Sequence, residues 1–400
     1  MAFAHLKAPA QGIPMERIDL DDQNSAPLSP EVAEAIQGAL KLRGNPSSPH
    51  AEGRRCLQAI ERARAGVAGL INARPEEVVF TSSGTEANCW ALTGLTPPQA
   101  AKGRQIVLSA VEHRSVLQTA QRLEAQGWAV TVLPVDRWGR VDPEALEAAL
   151  TPETALVSLQ WANGEVGTLQ PLPECVRRVK ARGILFHSDS IAAVGKVPVD
   201  LRAVPADALS LAANTFGGPP GVGALVVRKG VRILPLFVGG AQEQGRRAGT
   251  ENWPGIVGMG RAAELAMDRL NQAQARLTWL RERLIQGVSD RVPQALFNGH
   301  PTERLPGHLS VSFPGMEAEA LVLALDLEGV AVGMGSACTS RTMKASHVLK
   351  AMGIDEEHAL GTITFTLGVE TTPEQIDRLL EILPKVIASG HPELVEGRAR

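Results

Sequence analysis

Residues 206–227 read ADALSLAANTFGGPPGVGALVV. Ala206-Asp207-Ala208-Leu209-Ser210 is a short apolar run of the kind that forms a strand buried on both faces. The chain then breaks into Gly217-Gly218-Pro219-Pro220-Gly221 and resumes as a second apolar run, Val222 to Val227. A strand ending in a tight glycine turn brings backbone close to whatever sits there, which suits a ligand site. Yet Ala212-Ala213-Asn214-Thr215-Phe216, at the tip, offers no base, acid or strong nucleophile.

The same alternation extends upstream. Strands are expected at Glu77–Thr81, Gln105–Ser109, Ala129–Pro134, Ala155–Leu159, Ile184–His187, Ala208–Leu211 and Val222–Val227. Amphipathic stretches at Ser115–Gln126, Asp142–Leu150 and Leu172–Arg182 lie between them. Such alternation predicts an α/β fold, a large domain with a mostly parallel sheet covered by helices. After a long helical pattern, Pro254–Val288, the order changes. Leu309–Phe313 and Val330–Val332 read as strands, and Glu317–Leu327 and Pro373–Ser389 as helices, which together make a smaller α+β domain. The expected division is 17–262 for the large domain, with 1–16 and 263–400 forming a small domain that carries Cys338.

The chain has 400 residues, 44% hydrophobic and 21% charged, which is long enough for two such domains. Its formal charge of −3, with no basic tract, argues against nucleic acid as a partner. No apolar run is long enough to span a membrane, and MAFAHLKAPAQG lacks the apolar core of a signal peptide. Cys56, Cys89, Cys175 and Cys338 are scattered without CxxC spacing, so a reducing cytoplasm is expected and a metal site is not.

Several short stretches carry chemistry. Thr81-Ser82-Ser83-Gly84-Thr85-Glu86-Ala87-Asn88 follows a strand and opens a helix, so Gly84 and Thr85 read either as a phosphate cradle or as a plain threonine cap. Asp189 ends a strand, where a carboxylate could hold a protonated ring nitrogen, cap a helix or sit in a surface turn. His113 also follows a strand and could stack on a ring, move a proton, or serve structure alone. Cys338 sits among small residues in Gly335-Ser336-Ala337-Cys338, a setting for an accessible nucleophile or for a buried small hydrophobe. Arg247, Gly249 and Thr250 lie in a polar glycine-rich loop that could bind an anion or cross a subunit interface.

In order along the chain, Asn45-Pro46-Ser47-Ser48-Pro49-His50, Gly53-Arg54, Thr81–Asn88, Glu112-His113, His187-Ser188-Asp189, Val194-Gly195-Lys196, Arg247-Ala248-Gly249-Thr250 and Gly335–Cys338 resemble the cysteine desulfurases. These belong to the class V aminotransferase family, which uses pyridoxal phosphate in fold type I. The resemblance runs from about Ile18 to Leu383. It implies that Gly84 and Thr85 bind the cofactor phosphate, that His113 stacks on the ring, and that Asp189 partners the pyridine nitrogen. It further implies that Thr250 reaches the phosphate of the other subunit in a homodimer, and that Cys338 takes up sulfur as a persulfide.

The chain departs from that pattern at its centre. Aligning Gly218-Pro219-Pro220-Gly221 on the family's turn puts Thr215 where the family has the lysine that anchors the cofactor as a Schiff base. Asn214 then replaces a histidine, and Ala212 replaces a phosphate-binding serine. No neighbouring lysine stands in by sequence: Lys196 matches a different family lysine and Lys229 lies beyond the next strand. Asn163-Gly164-Glu165 replaces Asn-Asn-Glu, and Ala192 replaces a glutamine. Thr364 stands at the arginine that binds the substrate carboxylate, and Val369 at a second arginine. Asn24-Ser25-Ala26-Pro27 replaces Ala-Thr-Thr-Pro.

A threonine hydroxyl forms no imine and is a poor base. The expectation is therefore a catalytically degenerate family member with a sulfur-carrying, binding or regulatory role. Pyridoxal phosphate would be held non-covalently through Thr85, His113 and Asp189. The partner would be a second copy, an active relative in a mixed dimer, or a sulfur-acceptor protein. Two alternatives stand beside it: a pyridoxal-phosphate enzyme working with non-covalently held cofactor, and an iron–sulfur or metal scaffold built around Cys338.

Overall fold

The computed structural model describes residues 17–24, 26–335 and 345–389. Cys338 lies outside the described residues. The chain begins β1 (Ile18–Leu20), α1 (Pro30–Leu40), α2 (Ala51–Leu70), β2 (Val78–Thr81) and α3 (Gly84–Leu95). It continues β3 (Gln105–Ser109), α4 (Arg114–Glu124), β4 (Ala129–Leu133), α5 (Pro143–Ala149), β5 (Thr154–Ser158), α6 (Leu172–Ala181) and β6 (Leu185–Asp189). Next come β7 (Ala208–Ala212), β8 (Gly223–Val227) and the long α7 (Trp253–Arg291). It ends β9 (Leu296–Asn298), β10 (His308–Ser312), α8 (Ala318–Leu327), β11 (Val330–Met334), α9 (His347–Ala351), α10 (Glu356–Leu360), β12 (Thr362–Thr366) and α11 (Pro373–Ser389).

Seven strands form one sheet in the order β2-β8-β7-β6-β5-β3-β4. The block from β4 to β7 is parallel throughout, and β8 runs antiparallel to both β7 and β2. Every residue of β5, β7 and β8 is buried, which explains their continuous apolar runs: helices cover both faces. Because β2 and β7 flank β8 antiparallel to it, the carboxyl ends of β2, β3, β5, β6 and β7 share one edge of the sheet, where open α/β sheets bind ligands. The site residues come from that edge.

The second sheet is β1-β11-β12-β10-β9. Two corrections to the sequence reading arise here. Ile18–Leu20, assigned to the large domain, pairs in parallel with Val330–Val332 and belongs to the small sheet. Ile363–Thr366, read only as a motif, lies in a strand at the centre of that sheet. The expected boundary at 262 falls inside α7. Ile256, Met259 and Ala263 of that helix join the core of the large sheet, while Leu277, Leu280, Leu284 and Val288 join the core of the small one. One helix of 39 residues, roughly 60 Å long at 1.5 Å per residue, thus serves both cores. Asn252 caps it, accepting from Gly255 N, with Pro254 in the first turn.

The opening stretch folds close to its reading. β7 and β8 pair from Ala208↔Val227 to Ala212↔Gly223. Between them Ala213–Phe216 makes one 3₁₀ turn that ends at Gly217, whose φ of 85° is the left-handed conformation glycine supplies without strain.

Candidate functional site

The carboxyl edge of the large sheet borders a cavity of about 320 Å³. Its lining includes Gly84 and Thr85 at the start of α3, His113 before α4, Asp189 at the end of β6, and Thr215 in the 3₁₀ turn. Residues distant in sequence therefore meet around one space.

The helix start is built by Ser83, not Thr85. Ser83 Oγ accepts from Glu86 N at 3.1 Å, so the threonine-cap reading is corrected and Thr85 stays exposed on the cavity wall. Backbone N–H groups in a helix's first turn lack intrahelical acceptors and favour an anion. Gly84 is required by close approach: a Cβ there would lie 2.2 Å from Ile191 Cδ1 and 3.2 Å from Ala212 Cβ.

Asp189 is a buried carboxylate, only 6% exposed, which corrects the surface-turn alternative. Oδ2 accepts from Asn88 Nδ2 at 2.6 Å and Oδ1 from Ile191 N at 3.0 Å. Burial pushes its pKa up, while nearby His113 opposes the shift. His113 itself caps α4: Nδ1 accepts from Ser115 N at 3.2 Å and sits 2.7 Å from Ser115 Oγ. The residue therefore fixes a helix start and lines the cavity.

Two further carboxyls border the space. Glu112 is fully buried and pushed up to about 8, chiefly by burial. Ser109 Oγ and Gln160 N donate to its Oε1 at 2.6 and 3.0 Å, and its Oε2 has no partner. Glu165 is pushed up to about 7 by burial and accepts from Ser346 Oγ. Sequence reasoning quoted both inside motifs without giving them a role. Glu112 comes three residues after a buried strand, but its protonation depends on burial and on neighbours 48 and 77 residues away, Gln160 and Asp189, that no local pattern reveals.

Thr215 is buried, and its hydroxyl is turned toward backbone oxygens, Ile191 O at 2.8 Å and Ala212 O at 3.0 Å. Asn214 donates from Nδ2 to Asn24 O and accepts at its own carbonyl from Ala26 N, both at 2.9 Å, which ties the segment after β1 over the cavity. Gly164 lines the cavity with its carbonyl bound to His308 Nε2 at 2.9 Å, and Ala192 lines it too. Thr364 lies buried in β12, away from the lining. Thr250 is exposed and outside the cavity of this chain. Arg247 in the same loop pairs with Glu86 at 3.1 Å, so its charge is already matched within the chain. Among the described residues no lysine lines this cavity, and no cluster of three His, Cys, Asp or Glu side chains could hold a metal.

A seven-stranded, mostly parallel sheet with a helix start, a histidine and a buried aspartate along its carboxyl edge defines the pyridoxal-phosphate-dependent transferase fold. The chain belongs to the class-V aminotransferase family, whose model matches residues 18–379, and within it to the cysteine desulfurases. It is 43% identical to cysteine desulfurase IscS of Methanosarcina thermophila, over 92% of this chain and 91% of that protein. It is 47% identical to a cysteine desulfurase of Cereibacter sphaeroides, over 93% and 96%. The solved structure of a NifS-like protein superposes with a TM-score of 0.88 at 35% identity, covering 93% of this chain and all of that one.

The family depends on pyridoxal phosphate, a cofactor that supplies an electron sink for charge developing on a bound amine. Two features of the carboxyl edge suit it. Gly84 and Thr85 offer a helix start on the cavity wall, and Asp189 offers a buried carboxylate able to pair with a protonated ring nitrogen. In the turn after β7, position 215 is a threonine whose hydroxyl is engaged by the backbone, and a hydroxyl forms no imine.

Proposed function

We propose that this chain is a cysteine desulfurase homologue that has given up the standard desulfurase reaction and works as a binding, sulfur-carrying or regulatory protein. The observation that carries this reading is Thr215, a buried hydroxyl donating to main-chain oxygens in a cavity that no described lysine lines. Without that amine nothing at this position holds the cofactor covalently or returns a proton to the substrate carbon. Pyridoxal phosphate binds here non-covalently, with Gly84 and Thr85 on the phosphate, His113 on the ring face and Asp189 on the ring nitrogen. Cys338 takes sulfur from another protein and holds it as a persulfide. The protein works in the cytoplasm as a homodimer, or pairs with an active relative whose site Thr250 completes.

A visible spectrum of the purified protein with pyridoxal phosphate, with and without cysteine, tests this. Only free-cofactor absorbance and no sulfide are expected. Sulfide release from cysteine would overturn the reading. It would favour instead an enzyme that takes its cofactor already joined to the substrate amine, a second reading supported by the retained Asp189 and Gly84. Persulfide labelling in sulfur-fed cells is expected to be lost in Cys338→Ser. Unchanged labelling would remove the carrier role, and recovery of homodimers alone after co-expression with an active relative would remove the mixed dimer.

A further inference from the structure

Lys196 is a buried amine that the main cavity does not use. Its side chain is 16% exposed, and Asp22 beside it is 13% exposed. Nζ donates to Gln23 Oε1 at 2.6 Å and lies 3.6 Å from Asp22 Oδ2. A second cavity of about 110 Å³ opens next to this pair, with mostly apolar walls from Ala262, Leu265, Ala266, Leu305, Leu367 and Val369. Thr215 and Gln23 line both cavities, so those two side chains stand between them. Lys196, one of the two lysines that flank Thr215 in sequence, lines this second cavity together with Thr215.

We propose that Lys196 and this apolar chamber form a carbonyl-reactive amine site, separate from the cofactor cavity, that takes small aliphatic aldehydes or ketones. A lysine desolvated against apolar walls loses the hydration that favours its ammonium form, and the neutral amine is the nucleophile. Burial pulls the Lys196 pKa down against the pull of Asp22, and burial pushes Asp22 up, so both partners shift toward their uncharged forms. Among the described residues, the titratable groups on the chamber wall are this pair, His308, which burial keeps neutral by lowering its pKa to about 3, and Arg269, which is engaged by Glu31 at 3.1 Å, so no unmatched charge invites an ionic ligand. The small volume and apolar walls suit a short alkyl chain bearing a carbonyl.

The step balances within the pair. Lys196 gives one proton to Asp22, and the freed nitrogen lone pair forms a C–N bond to the carbonyl carbon. Nitrogen passes a proton to the oxygen, and Asp22 returns the other. The C–O bond breaks, water leaves, and a protonated imine remains beside ionised Asp22.

This inference does not rest on the reading of the main cavity, and its test contains no pyridoxal phosphate. The full chain is incubated with limiting butanal and cyanoborohydride, then analysed by intact mass and peptide mapping. A single reduced adduct on Lys196 is expected, lost in Lys196→Arg. Ala266→Phe narrows the chamber while keeping the amine, and is expected to lower the Lys196 adduct with the melting temperature as a folding control. Adducts spread over exposed lysines such as Lys102 and Lys350 in the unmodified sequence would overturn the proposal. So would a Lys196 adduct undiminished in a folded Ala266→Phe.

Discussion

The side-chain hydroxyl of Thr215 lies 2.8 Å from the carbonyl oxygen of Ile191, two residues beyond Asp189. The turn after β7 is thereby tied to the turn after β6, the strand that ends at the buried carboxylate of Asp189. Thr215 is thus a well-packed structural residue whose one proton is spent on the backbone.

Thr215→Lys tests whether an amine at this position would anchor the cofactor. The substitution removes a donor from Ile191 O and Ala212 O and places an amine where the wall is 4% exposed. A stability loss of about 1–3 kcal/mol is expected from the unpaired carbonyls and the buried amine. With pyridoxal phosphate added, the variant is expected to gain a visible band that borohydride bleaches. A spectrum identical to that of the parent would mean that the cavity no longer admits the cofactor.

Asp189→Asn addresses the ring-nitrogen site. The amide keeps the shape but loses the negative charge that accepts from Asn88 and Ile191 N. Pyridoxal phosphate affinity, followed by fluorescence titration, is expected to fall roughly 10- to 100-fold, the equivalent of a charge-assisted contact of about 1.5–3 kcal/mol. Unchanged affinity would place the cofactor elsewhere.

Glu112 predicts a pH dependence. Its folded-state carboxyl, pushed up to about 8 by burial, is protonated where the unfolded carboxyl, near 4.5, has already ionised. The native state therefore binds more protons. The contribution to stability is complete below pH 4.5 and is lost as pH rises toward about 8. The total is on the order of 3–5 kcal/mol. Glu112→Gln keeps an uncharged group there, and urea unfolding across this range is expected to show a flatter profile than the parent. Parallel profiles would assign the decline to other groups.

Glu243 holds the polar loop that carries Arg247 and Thr250. It accepts from Arg64 Nη1 at 2.7 Å and Nη2 at 2.8 Å, and from Phe80 N at 3.0 Å, with both charged side chains almost fully buried. It does so at a φ of 49°, a conformation that favours glycine. Glu243→Ala strands the Arg64 charge and is expected to cost about 3–5 kcal/mol in urea melts. A loss under about 1 kcal/mol would show Arg64 to be satisfied by Glu61 and Val78 O alone.

Much of the architecture was written in local pattern. Apolar runs of the length of a strand, alternating with amphipathic ones, required a helix-covered parallel sheet, because backbone geometry sets those periods residue by residue. That residue 215 is a threonine, four residues before Pro219-Pro220-Gly221, is likewise a property of the covalent chain. Other features were decided only by packing. Ile18–Leu20 joins the small sheet through pairing with residues some 310 positions away. Ser83 rather than Thr85 caps α3, and Glu112 is kept protonated by burial. Lys196 and Thr215, 19 positions apart in sequence, line one apolar chamber. Desolvation, pairing and shared cavities are sums over long-range neighbours, so they exist only once the chain has closed on itself.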